Sequence, residues 1–189
     1  MRNKLCKSMM VISIIIIPML FSCATTQQKQ AEARDADFYI NRGMDYGKKD
    51  QFDQAMSDFN KALEIDPTSA MAYHHRGVLY TFKGQYDQAF SDFSKALEIN
   101  PRFASAYSSR GRAYMAKGQY DQAISDYTKA LEINPNLAVA YYNRGRSYYF
   151  KKEKEYDKSW DDIKKAQELG YKIPAEFLDQ LRKASGRQN

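Results

Sequence analysis

Apolar residues in this chain fall at helical spacing, and the same pattern returns every 34 residues. The stretches QFDQAMSDFNKALEIDP, QYDQAFSDFSKALEINP and QYDQAISDYTKALEINP are near copies. Within each, Phe52, Ala55, Phe59 and Ala62 or their counterparts lie three and four residues apart, one face of an α-helix. A second phrase precedes each copy: YINRGMDY, YHHRGVLY, YSSRGRAY and, in a fourth round, YYNRGRSY. A fixed period of this length marks a stacked helical repeat rather than a compact enzyme fold.

Four repeats are read, at 36–69, 70–103, 104–137 and 138–173, each a pair of antiparallel helices. The first helices are expected near 36–48, 70–82, 104–116 and 138–152, the second near 52–65, 86–99, 120–133 and 156–169. Gly84 and Gly118 fall between paired helices, where a left-handed residue ends a helix at little cost, and Asp50 and Lys152 hold the matching places. Pro67, Pro101 and Pro135 follow the second helices and stop them. The fourth repeat departs from the pattern. Its KKEKE turn, 151–155, adds two residues, and Gly170-Tyr171 replaces the proline signal. Pro174 then opens an amphipathic segment, 174–186, with Phe177, Leu178 and Leu181 on one face. It is read as the cap that a stack of repeats needs at its open end, with 174–189 as cap and tail.

Small residues recur at Gly43, Gly77, Gly111 and Gly145, at Ala55, Ala89, Ala123 and Ser159, and at Ala62, Ala96, Ala130 and Ala166. Rings recur beside them, at Tyr39, Tyr46, Phe52 and Phe59 and their counterparts. These columns resemble the tetratricopeptide repeat, and the resemblance covers 36–173. It implies an all-α solenoid of four helix-turn-helix repeats plus a C-terminal capping helix, a right-handed superhelix whose concave face is lined by the first helices.

The N-terminus reads as an export signal. Arg2, Lys4 and Lys7 precede an apolar run of 13 residues, Met9 to Phe21, interrupted by Ser13 and Pro18. As a helix it reaches about 20 Å, short of the roughly 30 Å hydrocarbon core, so it suits a signal peptide at 1–22 better than a span. Leu20-Phe21-Ser22-Cys23 resembles the lipobox of bacterial lipoproteins. That resemblance implies cleavage before Cys23, diacylation of its sulfur and usually acylation of the new amine. Cys6 would be discarded, leaving neither a free thiol nor a disulfide. Two or more acyl chains anchor stably. Residues 23–35 would then be the lipidated cysteine and a polar tether, on a protein exported and held at a bacterial membrane. The periplasmic side of the outer membrane is favoured by Ala24 if the cell is Gram-negative. The chain carries 29 Lys plus Arg against 23 Asp plus Glu. Three of the positives belong to the signal, so basicity is no argument for nucleic acid. Charge instead shifts along the repeats, from 4 positive and 7 negative at 36–69 to 9 positive and 6 negative at 138–173. Such a polarity orients a partner if it is more than a solvated surface.

Chemistry for catalysis is sparse. His74 and His75 are adjacent rather than four apart on a helix, no phosphate-binding glycine loop occurs, and most carboxylates recur with the scaffold. No enzyme, cofactor or metal site is expected. One charged pair recurs in every repeat: Arg42 with Asp58, Arg76 with Asp92, Arg110 with Asp126 and Arg144 with Asp162. These read as ion pairs bridging the two helices of each repeat. The alternative is an arginine ladder for phosphate or carboxylate ligands.

Subtracting the shared columns leaves residues on the first helices that vary between repeats. The family resemblance places them on the groove: Ile40, Met44 and Lys48, then His74, Val78, Thr81 and Phe82. Ser108, Arg112, Met115 and Ala116 follow, then Tyr142, Arg146, Tyr149 and Phe150. Arg112 and Arg146, one repeat apart and beside rings, suit an extended or helical peptide with an acidic group and an apolar anchor. Alternatively the arginines are solvated and the rings pack on the cap. Some family members clamp a C-terminal carboxylate with a Lys and an Asn one turn apart. Ile40 and Met44 stand there, so that clamp is absent. The expectation is a non-catalytic interaction scaffold in the cell envelope, tethered through lipid. Two alternatives remain open: self-association into a homo-oligomer, and binding of a wall glycan or small ligand by Tyr142, Tyr149 and Phe150.

Overall fold

The computed structural model describes residues 35–151 and 153–187, in two compact units, 35–67 and 68–187. The expected signal peptide, Cys23 and nearly all of the expected tether lie outside the described residues. Nine helices and no strand occur among the described residues. The first unit holds α1 (35–48) and α2 (Phe52–Ile65). The second holds α3 (Ala70–Phe82), α4 (Tyr86–Ile99), α5 (Ala104–Ala116), α6 (Tyr120–Ile133), α7 (Ala138–Phe150), α8 (Tyr156–Glu168) and α9 (Ala175–Ser185). None is long and apolar enough to cross a membrane.

The boundaries follow local chemistry. Asp66, Asn100 and Asn134 end α2, α4 and α6 in extended backbone, the conformation that a following proline imposes. Gly84 and Gly118 turn left-handed at φ 71° and 73°. Asp50 does the same at φ 58°, which a short polar side chain tolerates better than most. The fourth pair corrects one expectation: α7 stops at Phe150 rather than 152, because Lys151 is already extended. Lys151 is held there by Glu155 at 2.7 Å and by Asp121 of the preceding pair at 3.2 Å. Lys152, expected to match Gly84, lies outside the described residues.

Within each of the first three pairs a ring from the second helix lies on a glycine of the first. In α1 and α2, a Cβ on Gly43 would stand 2.7 Å from Phe59 Cε1. Gly77 meets Phe93 at 2.9 Å and Gly111 meets Tyr127 at 3.0 Å in the same way. In the fourth pair the backbone carbonyl of Ser159 and the Cδ1 of Ile163 crowd Gly145 instead, at 3.1 and 3.2 Å. Glycine here lets helix and ring approach to a distance no other residue permits. The alanines of the neighbouring columns are fully buried, and Ala96, Leu97 and Ala106 make the seam between the second and third pairs.

At the C-terminal end, α9 takes the place a further first helix would take. Phe177 and Leu181 are buried against Ile163 and Ala166, with Tyr149, Tyr156 and Trp160 around them. Trp160 Nε1 donates to Ser185 Oγ at 2.9 Å, and Arg187 pairs with Asp157 at 2.7 Å.

Gly77→Ala is expected to lower stability by about 1–3 kcal/mol, because Phe93 is enclosed and cannot yield. An alanine at Gly47 of α1 meets nothing within 4 Å, so Gly47→Ala is expected to raise stability by up to about 1 kcal/mol. Urea melts of the two variants check this; equal shifts would contradict it.

Candidate functional site

The arginines of the first helices divide into two kinds. Arg42, Arg76, Arg110 and Arg144 each present a planar fork to an aspartate of the paired second helix. Nε and Nη2 donate to the two carboxylate oxygens at 2.7–2.8 Å in every case. The aspartates are buried. Arg76, Arg110 and Arg144 are about four-fifths covered, whereas Arg42 is 44% exposed. Hydrogen bonding to the aspartate raises the pKa of Arg76 and of Arg110, which fixes the charge. Burial pushes Asp162 up, against the pull of Arg144. The third guanidinium nitrogen reaches backward along the stack. Arg110 Nη1 donates to Ser94 Oγ at 3.4 Å, and Arg144 Nη1 to Thr128 Oγ1 at 3.0 Å. Two helices of one pair and one helix of the preceding pair are thereby joined.

Arg112 and Arg146 make no ion pair with any described residue. Arg112 leans over the ring of Phe82, 5.2 Å from its centre, and Phe82 itself is 64% exposed. Arg146 lies over Tyr142 at 5.5 Å and Phe150 at 5.8 Å. A ring holds a guanidinium by its face and leaves its N–H edges free to donate.

Beside Arg112 is a cavity of about 200 Å³ formed by α3, α5 and the start of α7. Ser105, Ser108 and Ser109 of α5 and Asn143 of α7 give it a polar wall, His74 of α3 lines it, and Leu137 and Val139 close an apolar side. Ser105, Ser109 and Asn143 were not singled out from sequence. Ser109 and Asn143 sit one position past the variable column, in a second variable column that reads Asn41, His75, Ser109, Asn143.

Several residues expected on an open groove are not open. His74 and Tyr142 are each only 8% exposed, and Ile40 is buried as well. The reason for Tyr142 and Tyr149 is α9. Tyr142 stacks on Tyr171 at 4.8 Å and meets Phe177 edge-on at 6.0 Å. Tyr149 meets Phe177 edge-on at 5.4 Å. Both rings therefore belong to the core under the cap, and with them goes most of the surface suggested for stacking sugars. Val78 packs against the cluster around Phe93, and Met115 against the cluster around Tyr127. Phe82, Arg112, Arg146 and Phe150 keep exposed surface.

His74 is buried between α3 and α5. Nε2 shares a hydrogen bond with Ser109 Oγ at 3.0 Å, while Nδ1 has no partner. Burial pushes its pKa down to about 3, with the charges of His75 and Arg112 adding to the shift. His75 is also lowered by burial. The unfolded imidazole binds its proton near 6.5, so between that value and about 3 the unfolded chain holds more protons. Stability is therefore full above the upper value and falls as pH drops through this window. At pH 5 the loss from His74 alone is expected to be about 2 kcal/mol. In His74→Asn that part of the acid slope should vanish, leaving the share of His75. Chemical denaturation between pH 7 and 5 measures it; an unchanged slope would contradict the assignment.

Comparison with known families and structures matches this arrangement. The tetratricopeptide repeat model matches residues 36–69 and 70–103, a second tetratricopeptide repeat model matches 93–125, and a TPR repeat model matches 111–151. No curated protein matches the chain. Among solved structures, the chain is similar to the crystal structure of MamA. Identity is 27%, over 74% of this chain and 81% of that one, with a TM-score of 0.63. It shares its fold with the Arabidopsis OM64 TPR domain, at 23% identity over 61% of this chain and 96% of that one, TM-score 0.59. It also shares it with the first TPR of Spaghetti (RPAP3) bound to the HSP90 peptide SRMEEVD. There identity is 24%, over 74% of this chain and 96% of that one, TM-score 0.54. With its repeats matched from 36 to 151 and its helix pairs built on the same glycines, rings and alanines, the chain belongs to the tetratricopeptide repeat family.

Proposed function

We propose that this protein is a lipid-tethered interaction scaffold of the bacterial cell envelope, which holds a protein segment carrying an acidic group against its first helices. The observation that carries the reading is the division of the arginines. Four are spent on aspartates inside the fold, whereas Arg112 and Arg146 have no carboxylate among the described residues. They stand beside exposed Phe82 and Phe150 and a polar cavity. Cations without partners, next to apolar anchors on rigid helices, suit an acidic segment with an aromatic or aliphatic side chain. The peptide named with the RPAP3 structure, SRMEEVD, is acidic and supports a peptide as the kind of ligand this fold holds.

The tether rests on Arg2, Lys4 and Lys7, the apolar run and Cys23. Binding a segment on the repeats would bring the rest of its complex to the lipid surface. The mechanism in this reading is display: a segment is held against the first helices.

Cross-linked capture from detergent-solubilised envelopes tests this. A specific partner is expected with the wild type and not with Arg112→Glu/Arg146→Glu, while both proteins melt at similar temperatures, since neither arginine holds a structural pair. A partner held equally by both would place binding elsewhere. Cys23→Ser is expected to move the protein from the membrane pellet to the soluble fraction; a variant that stays in the pellet would contradict the anchor.

A further inference from the structure

Most buried polar side chains of the second unit have a protein partner. The aspartates take arginines, His74 takes Ser109, and the Ser147 hydroxyl donates to a carbonyl. Asn143 differs. It is 9% exposed, its main-chain carbonyl accepts from Ser147, and its side-chain amide bonds to no described residue. Its amide atoms are not sealed off, as the Ser159 hydroxyl is. The opening they have is the cavity formed by α3, α5 and the start of α7, which Asn143 lines. A buried amide without a protein partner calls for an occupant of that cavity that can hydrogen-bond.

Two further donors line the same cavity without a partner. Arg112 has only the ring of Phe82 beneath it, and Ser108, one turn earlier on α5, bonds to no described residue. Arg112 is the one charged side chain among the described residues that line the cavity, since burial holds His74 neutral. Leu137 and Val139 supply an apolar side. The volume is about 200 Å³. A cavity of about 150 Å³ already takes up benzene, so a carboxylate with a stem of a few carbons fits.

We infer that this cavity is a binding subsite for a single carboxylate on a short aliphatic stem, held by Arg112, Ser108 and Asn143 with the stem against Leu137 and Val139. This deepens the scaffold reading, on which it rests for the source of the carboxylate, and gives the acidic group of that reading a place and a size. One cation with no acidic neighbour matches one negative charge. The guanidinium edges that the ring of Phe82 leaves free donate to the carboxylate oxygens, and hydroxyl and amide supply the remaining donors. Arg146 does not line the cavity, so its loss should leave this subsite intact. The shared chemistry admits a glutamate side chain on the bound segment or a free short-chain acid.

Butyrate and, separately, N-acetyl-glutamate α-amide are titrated into the full-length protein in detergent at pH 7.5. Heteronuclear NMR follows the Asn143 side-chain amide and the Arg112 Nε proton. Saturable shifts of both signals are expected. The neutral butyramide and N-acetyl-glutamine α-amide should bind at least about tenfold more weakly, because the charge-assisted bonds to Arg112 are lost. Arg112→Gln should weaken the carboxylates at least about tenfold, and Asn143→Asp, nearly isosteric, as much, because its own carboxylate competes for Arg112. Ser108→Ala should weaken them severalfold without lowering the melting temperature, and Arg146→Gln should not weaken them. No saturation, an equal response to the neutral amides, full binding by any of the first three variants, or an equal loss in Arg146→Gln would overturn the subsite. Capped glutamate that binds at least as tightly as butyrate makes an acidic side chain of the partner the ligand; binding of butyrate alone makes it a free short-chain acid. Saturation by either probe with no partner captured keeps the subsite and sinks the scaffold reading. A partner held by the wild type and lost on double arginine reversal, with no response to either probe, does the opposite.

Discussion

The bidentate fork between a first-helix arginine and a second-helix aspartate is the contact on which the rest of this fold depends. It fixes the two helices of a pair in one register, because both guanidinium edges and both carboxylate oxygens must meet. The residue after each arginine is the glycine on which the second helix packs, through a ring in the first three pairs and Ile163 in the fourth. Fork and ring are therefore set by the same rotation of the helix. In the third and fourth pairs the remaining guanidinium nitrogen bonds to the preceding second helix, so one side chain joins consecutive repeats. A buried pair of this kind need not add net stability, since two charges leave water. Removing one partner, however, strands the other at a cost of about 3–5 kcal/mol. It specifies the arrangement more than it strengthens it.

Function grows from what that specification leaves over. Once every repeat-invariant arginine has its aspartate, a cation without one stands out. Arg112 and Arg146 stand out twice, through the absence of a carboxylate and through the rings that hold them instead. Rigid helices position these groups before any ligand arrives, which limits the ordering cost of binding.

Helix pairs, their boundaries and the ion pairs were legible in the sequence because each feature occurs several times in register. A column such as Arg76, Arg110 and Arg144 with Asp92, Asp126 and Asp162 carries its own controls. What repetition could not show was where a variable residue faces once its neighbours are in place. His74 varies between repeats, yet it is buried at the seam between α3 and α5, hydrogen-bonded to Ser109. Tyr142 and Tyr149 vary because the cap needs rings there, not because a ligand does. Variation frees a position from the common packing and says nothing about the unique packing at the end of the stack. Ser105, Ser109 and Asn143 were missed for the opposite reason: small polar residues carry little signal until a cavity gathers them.

The most direct measurement is the exchange of the guanidinium Nε protons by nitrogen-detected or proton-detected NMR on the folded protein. In Arg76, Arg110 and Arg144 that proton donates to a buried carboxylate oxygen, so slow exchange and resolved signals are expected. Arg112 and Arg146 should exchange rapidly in the free protein and become protected when an envelope partner is added. Protection of Arg112 and Arg146 equal to that of the paired arginines before any ligand is added would contradict the division between structural and recognising cations.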